Sequence, residues 1–355
     1  MKNIKIGIIG YNPKKIGGIE SFSRTLANIL DYKVEYIYEY DENGPFTVEH
    51  AFPVLKYNFI NRVINKITNQ SYSLLKIKKI LLAENFDIVI LNSPKYLAIV
   101  PDLSKTILIQ HTTAKNWWES KYKFNRNKNL LNLSFNVHKI ISLSSFEKVE
   151  LIKKFNYPSH LLETINMINP LPISNSNKTN KNKLIMLTRF QNSIKRIDLV
   201  INSMHLLPDF ELNIYGDGPD KADLLKLAKS KSNVIIHPST TEKIKVLDAS
   251  GIYILSSEFE GFPVSLIEAM SRGLPLIVRN SFLSAPCFIN KNGVLLPKLW
   301  SSDNFKNAVL FCYSNYNEFS NKSVEIAANY SAETIKINWQ NLLNEIIFTR
   351  KQHEE

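Results

Sequence analysis

The sequence predicts an α/β protein of two domains, each a parallel sheet wound with helices. Short apolar runs recur along the chain, and most are followed by a segment with helical spacing, the order that βαβ units require. At 355 residues the chain is longer than a single hydrophobic core usually takes. Midway, Ile165 to Lys183 turns to Asn, Ser, Pro, Thr and Lys and reads as a linker. The expected boundaries are a first domain over 1–170, a linker over 171–183, a second domain over 184–330 and a closing helical segment over 331–355.

Composition narrows the class. Hydrophobic residues make up 44% and charged residues 21%, the balance of a soluble globular protein. No apolar run reaches the ~18–20 residues of a membrane-spanning helix. Met1 to Ile6 leads straight into a strand with no secretory cleavage pattern. The only cysteines, Cys287 and Cys312, have no paired spacing, so the expected setting is a reducing cytoplasm with neither disulfide nor metal. A formal charge of +12 admits nucleic acid, an acidic membrane surface or an anionic substrate as partner. Abundant Lys, Asn and Ile also fit an AT-rich coding bias, so charge alone does not choose.

Ile4 to Ile9 reads as the first strand, followed by Gly10 to Glu20 and an amphipathic helix carrying Phe22, Leu26, Ile29 and Leu30. A glycine-rich loop between first strand and first helix lets the backbone come close to a phosphate or sugar. Gly-x-Gly-x-x-Gly is absent and no Gly-Lys-Ser/Thr follows, so the loop is neither a dinucleotide fingerprint nor a P-loop; a plain tight turn is the other reading. Val34 to Tyr38 is the next strand.

From His50 to Ala83 there is no acidic residue, while Lys56, Arg62, Lys66, Lys76, Lys78 and Lys79 are spread among large apolar side chains. The stretch reads as basic helix with an apolar face. It suits peripheral attachment to anionic lipid at about 1 kcal/mol per well-placed cation, or ordinary packing against the sheet. Asp87 to Leu91 and Thr106 to His111 are further strands, and His111 falls at a strand's carboxyl end, where ligands of parallel sheets collect. The aromatic and basic run from Trp117 to Lys128 reads as an acceptor-side or membrane-side loop. Ile140 to Ser144 reads as the last strand of the first domain, with a helix through Phe155 after it.

The second series opens with Leu184 to Arg189, then Lys195 and Arg196, then a helix with Ile197, Val200, Ile201 and Met204. Fixed cations after a strand would neutralise a diphosphate leaving group, each charge-assisted hydrogen bond contributing roughly 1.5–3 kcal/mol. Leu212 to Tyr215 is a strand ending in the turn Gly216-Asp217-Gly218. Val234 to His237 is the next strand, with Pro238 and Ser239 just beyond it. Ile252 to Leu255 is a buried strand, then a polar turn, then a helix in which Val264, Ile267 and Met270 keep helical spacing. The free N–H groups of such a helix start suit an anion. Glu260 and Glu268, eight residues apart, add hydroxyl acceptors, a combination fitted to a nucleotide sugar. A solvated acidic helix entry is the plain alternative. Thr334 to Phe348 closes the chain with Ile335, Trp339, Leu342, Leu343 and Ile346 on one helical face.

Glu260-Gly261-Phe262-Pro263, Ile267-Glu268-Ala269-Met270 and Gly273 to Val278 together resemble the signature of glycosyltransferase family 4, retaining enzymes of the GT-B fold. The resemblance implies two Rossmann-like domains facing across a cleft, the first binding an acceptor and the second a nucleotide sugar, with the C-terminal helix crossing back to the first. It gives Glu260 contact with the transferred sugar and Glu268 contact with the donor ribose. Arg189 and Lys195 resemble the Arg and Lys that hold the pyrophosphate, Lys195 being preferred to Arg196. Gly17 and Gly18 resemble the family's Gly-Gly-x-Glu loop, whose amides face donor or acceptor. His111 resembles a His facing the donor sugar, and the strand ending at Gly216 matches as well. Gly261, Phe262, Pro263 and Val264 complete the implied donor loop.

The activity this resemblance implies is transfer of a hexose from a nucleoside diphosphate sugar, with uridine diphosphate favoured, to a lipopolysaccharide, O-antigen, capsule or other lipid-linked saccharide. Departure of the diphosphate leaves oxocarbenium-like charge. Arg189, Lys195 and the helix start at Gly261 to Ser265 would stabilise the leaving group. In the family the departing phosphate oxygen takes the acceptor proton on the same face. No Asp-x-Asp motif is present, and neither metal nor cofactor is expected. The expected location is cytoplasmic, with peripheral contact at the inner membrane face and no nucleic acid partner. A sugar-nucleotide epimerase on the same fold and, behind it, a nucleic-acid-binding protein are the competing readings.

Overall fold

The computed structural model describes residues 4–174 and 180–354. Of the expected linker, 175–179 lie outside the described residues, as do 1–3 and 355. The chain divides into two units. One holds the described residues up to Ile168 and those from Ala332 onward; the other is Asn169–Ser331.

The first unit is built on seven parallel strands among the described residues: β1 Lys5–Gly10, β2 Lys33–Asp41, β3 Ala51–Lys56, β4 Ile88–Leu91, β5 Thr106–Gln110, β6 Lys139–Ser142 and β7 Leu162–Thr164, in the order β3-β2-β1-β4-β5-β6-β7. β1 and β4–β6 are buried on both faces, which is why they read as unbroken apolar runs. After β1, helix α1 Gly18–Ile29 sinks Phe22 and Leu26 into the core. Helices α2 Phe59–Ile67 and α3 Ser71–Glu84 follow β3. The Ala332–Glu354 helix belongs to this unit: Trp339 packs near Phe22, Lys336 pairs with Asp31, and Glu345 with Lys139. Ile335, Trp339, Leu342, Leu343 and Ile346 are all buried, the face that the spacing predicts.

Three expectations need correction. The stretch from His50 is not helical throughout, because Ala51–Lys56 is an edge strand pairing with β2; Pro53 is tolerated there, since an edge strand needs fewer ladder donors. β6 is not the last strand, because Leu162–Thr164 adds one beyond it. The Trp117–Lys128 run is not a free loop of aromatics. Trp117 and Phe124 are core residues in ring contact, and Trp118 stacks on Phe155.

The second unit carries six parallel strands among the described residues: β8 Lys183–Leu187, β9 Glu211–Tyr215, β10 Val234–His237, β11 Ile252–Leu255, β12 Leu276–Arg279 and β13 Gly293–Leu296, in the order β10-β9-β8-β11-β12-β13. Its core gathers Leu184, Met186, Leu212, Ile214, Ile252 and Ile254 under Ile197, Val200, Ile201 and Phe305. Both units are Rossmann-like α/β layers. In each, the first strand is flanked by one that follows directly and one reached by returning to the other side: β1 by β2 and β4, β8 by β9 and β11. Ligands of such sheets bind at that switch point, outside the carboxyl ends. Among the described residues no helix is long and apolar enough to cross a membrane.

Candidate functional site

In the second unit the expected residues fall at the carboxyl ends of the strands around the switch point. Three loops are stitched together there. Thr188 N donates to Tyr215 O and Phe190 N to Asp217 O, at 3.0 and 2.9 Å, joining the loops after β8 and β9. Close approach explains Gly216: a Cβ there would lie 1.9 Å from Thr188 O. Glu258 N donates to Ile194 O at 2.6 Å, and Ser256 Oγ to the Lys195 and Arg196 carbonyls at 2.9 and 3.0 Å, joining the loops after β8 and β11.

These bonds bring Lys195 to Glu260. Lys195 Nζ donates to Glu260 Oε1 at 2.6 Å, and Ser257 Oγ donates to the same oxygen at 2.7 Å. Arg196 turns the other way, onto Asp198 at 3.0–3.1 Å. The Arg189 side chain is exposed and has no hydrogen bond or ion pair among the described residues, which leaves its guanidinium open to an anion.

The Val264–Ser271 helix starts beside this pair. Its cap is Pro263, with no side-chain bond; Leu266 N turns back to Pro263 O at 3.1 Å, and the Val264 and Ser265 N–H groups stay open among the described residues. Phe262 is wedged near Phe288 and Tyr330, and Ser284 Oγ donates to Gly261 O at 3.2 Å, fixing the chain's entry into the helix. One turn in, Glu268 is buried, 2% exposed, and its Oε1 accepts from Lys243 Nζ at 2.5 Å. Sequence reasoning missed Lys243, Ser257 and the Tyr215–His237 stack at the ends of β9 and β10, where the rings lie 4.2 Å apart. Pro238 and Ser239 follow that stack and are exposed.

In the first unit Gly17 and Gly18 open α1 after β1. Gly17 has no side-chain cap, and a Cβ on it would meet Glu20 Oε2 at 2.1 Å, so the Glu20 carboxylate folds against this turn. His111 follows β5. Asn92, after β4, bonds it at 2.8 Å through Oδ1 and donates through Nδ2 to Ser23 Oγ at 2.8 Å. With Oδ1 as acceptor, Nε2 carries the proton and Nδ1 is left as a lone-pair acceptor. Burial, aided by the Lys121 ammonium, pushes the His111 pKa down to about 3, so this imidazole is neutral in use. Glu147 holds the same loop from below: its buried carboxylate accepts from Ala114 N at 2.7 Å, and burial pushes its pKa up to about 7. Asn92 and Glu147 also escaped the sequence reading. Among the described residues no group of three or more His, Cys, Asp or Glu is placed to hold a metal ion.

Residues 170–330, nearly the whole second unit, match the family described as glycosyl transferases, group 1. A Haemophilus influenzae protein named only as an uncharacterized glycosyltransferase is 27% identical over 96% of this chain and 99% of its own length. The poly(ribitol-phosphate) alpha-N-acetylglucosaminyltransferase of Staphylococcus aureus is 32% identical over 42% of the chain, which spans a third (33%) of that relative's length. Among solved structures, the pneumococcal O-GlcNAc transferase GtfA in complex with UDP and GlcNAc superposes with a TM-score of 0.73 at 14% identity, over 98% of this chain and 100% of that one. Residues 170–330 are therefore similar to a group 1 glycosyl transferase domain, on a chain of two Rossmann-like units that shares the GT-B fold of its solved neighbours.

Proposed function

We propose that the protein is a retaining glycosyltransferase that moves a hexose from a nucleoside diphosphate sugar to a hydroxyl of a saccharide acceptor. The observation that carries this reading is the Lys195–Glu260 pair at the switch point of the second sheet, beside an uncapped helix start. A pyrophosphate there would take up the helix N–H groups, Lys195 and the free Arg189 guanidinium. As the bond to the sugar breaks, these groups would stabilise the growing charge on the leaving group. Freed from Lys195, the Glu260 carboxylate would accept from the sugar hydroxyls, and Glu268 from the ribose. Within the first unit, Gly17, Gly18 and the neutral His111 would offer hydrogen bonds to saccharide hydroxyls. The relative crystallised with UDP and GlcNAc supports a uridine donor.

The test is a thermal-shift panel of nucleoside diphosphates and their sugars, followed by transfer assays. Glu268→Ala should weaken binding of the bare nucleotide about tenfold or more. Glu260→Ala should spare the nucleotide and reduce transfer. If neither substitution moves binding or transfer, the donor site lies elsewhere.

A lipid-linked acceptor is the second part of the proposal, and α2 supports it. Phe59, Ile60 and Ile67 are 80%, 67% and 78% exposed, Arg62 and Lys66 lie among them, and α2's buried residue is Asn65. An apolar ridge edged with cations is what an anionic bilayer surface attracts. The protein should sediment with vesicles containing anionic lipid more than with zwitterionic ones. Replacing Phe59, Ile60 and Ile67 together by Ser should abolish the difference without changing transfer to a short soluble acceptor. Equal sedimentation of the triple variant and the parent would exclude this surface.

A further inference from the structure

Glu268 is an unusual carboxylate. It projects from the second turn of its helix, is 2% exposed, and has one charged partner among the described residues, Lys243, which comes from a different element. A carboxylate at such burial requires a charged or hydrogen-bonding partner. Lys243 supplies that partner to Oε1 at 2.5 Å from the start of the short Lys243–Asp248 helix, just past the exposed Pro238 and Ser239. Glu268 Oε2 has no partner among the described residues and is not sealed from solvent.

A second ion pair ties the same two helices at their far ends. Arg272, the residue after the Val264–Ser271 helix, forks onto Asp248 with bonds of 2.9 and 2.7 Å. Arg272 also donates to Pro172 O at 2.8 Å and is nearly buried. The two pairs differ in what they leave free. Arg272 uses both oxygens of Asp248, whereas Lys243 takes one oxygen of Glu268 and leaves the other open.

We propose that Lys243 is a positioning residue for nucleotide recognition: it holds Glu268 with Oε2 turned outward to accept from the vicinal hydroxyls of a ribose. This rests on the reading of Glu268 above and adds the residue that makes it selective. A fixed carboxylate acceptor favours a nucleotide bearing hydroxyls and discriminates against its deoxy counterpart, which leaves that oxygen unpaired.

The experiment compares affinities for uridine diphosphate and 2′-deoxyuridine diphosphate by calorimetry on the full chain. The parent should prefer the ribonucleotide about tenfold or more, the worth of one charge-assisted hydrogen bond. Lys243→Met should bring that ratio close to one, Lys243→Arg should restore most of it, and Lys243→Met should add nothing in a Glu268→Ala background. Asp248→Asn, which breaks the other tie, should lower the melting temperature and keep the ratio.

If Glu268→Ala leaves the ratio intact, the ribose reading itself is wrong. If Glu268→Ala abolishes the ratio and Lys243→Met keeps it, that reading stands and Lys243 is a surface cation. If Asp248→Asn flattens the ratio as much as Lys243→Met, helix packing rather than the Lys243 contact sets it, and the proposal is overturned.

Discussion

The two units share a winding but not a chemistry. At the switch point of the second sheet stand charges: Lys195 on Glu260, Lys243 on Glu268, Arg279 on Glu258, and the unpaired Arg189 guanidinium. At the switch point of the first sheet the central group is a neutral chain, Ser23 to Asn92 to His111, with the Lys121 ammonium and the Lys95–Glu39 ion pair to its sides. The difference teaches that the fold supplies only the place. Carboxyl ends of parallel strands collect ligands in both units, and the side chains there decide which part of a ligand each suits. Fixed cations and open helix N–H groups suit a pyrophosphate whose charge grows during reaction. A neutral imidazole with a free lone pair suits hydroxyls, which need hydrogen bonds rather than charge.

The largest effect should come from breaking the charged side of this contrast. Lys195→Ala removes the donor proposed for the leaving group and should lower kcat by roughly 10²–10³-fold, the scale of losing one preorganised donor. It also leaves Glu260 with Ser257 as its remaining side-chain partner among the described residues. His111→Gln keeps a hydrogen-bonding side chain beside Asn92 and should cost far less. Steady-state rates of the two variants decide it. A larger loss from His111→Gln than from Lys195→Ala would invert the comparison.

The second unit was the more legible in sequence, for a physical reason. Its strands are short apolar runs with their ends intact, whether buried on both faces like Ile252–Leu255 or at the edge like Val234–His237, where Ile235 is exposed. The first unit hides an edge strand, Ala51–Lys56, whose half-exposed residues and Pro53 carry no buried-strand signature. It also hides β7, three residues long. The aromatic run from Trp117 showed that such residues were present but not which way they face; Trp117 faces the core.

At the site, residues that act by position along one segment were visible: Glu260 and Glu268 flank one helix start. Residues that act by pairing across the fold were not. Lys243 sits two positions from Lys245, which pairs locally with Glu242 on the surface. Nothing in the string Glu242-Lys243-Ile244-Lys245 tells the two lysines apart. Asn92 is likewise an ordinary polar residue after a strand until the sheet order puts β4 next to β5.

A smaller effect tests how the neutral side is held in place. Burial raises Glu147 to about 7 from an ordinary 4.5, so the folded chain keeps a proton that the unfolded chain loses between these values. Stability from this group is present in full below pH 4.5, falls as pH rises through 7, and is flat above. Glu147→Gln cannot ionise. Its stability relative to the parent should rise between about pH 5 and pH 8 by on the order of 2 kcal/mol, read from denaturant unfolding at each pH. A difference that does not change with pH would mean that Glu147 titrates normally and the loop bearing His111 does not depend on it.

The smallest expected effect is a missing one, and it is the sharpest on the contrast between charged and neutral sites. With its pKa near 3, His111 gains no proton in the folded chain between about pH 5 and 9. The pH profile of kcat/KM should therefore show no limb near 6.5 that disappears in His111→Gln. Stability should behave differently. The unfolded imidazole protonates as pH falls below about 6.5 while the folded one does not, so the stability this group contributes is whole above 6.5 and declines toward pH 3. His111→Gln should remove that part of the acid slope and leave the slope above pH 6.5 unchanged. A kcat/KM limb at about 6.5 that vanishes with His111 would show a working acid or base there, and the first unit's switch point would then be charged in use, like the second's.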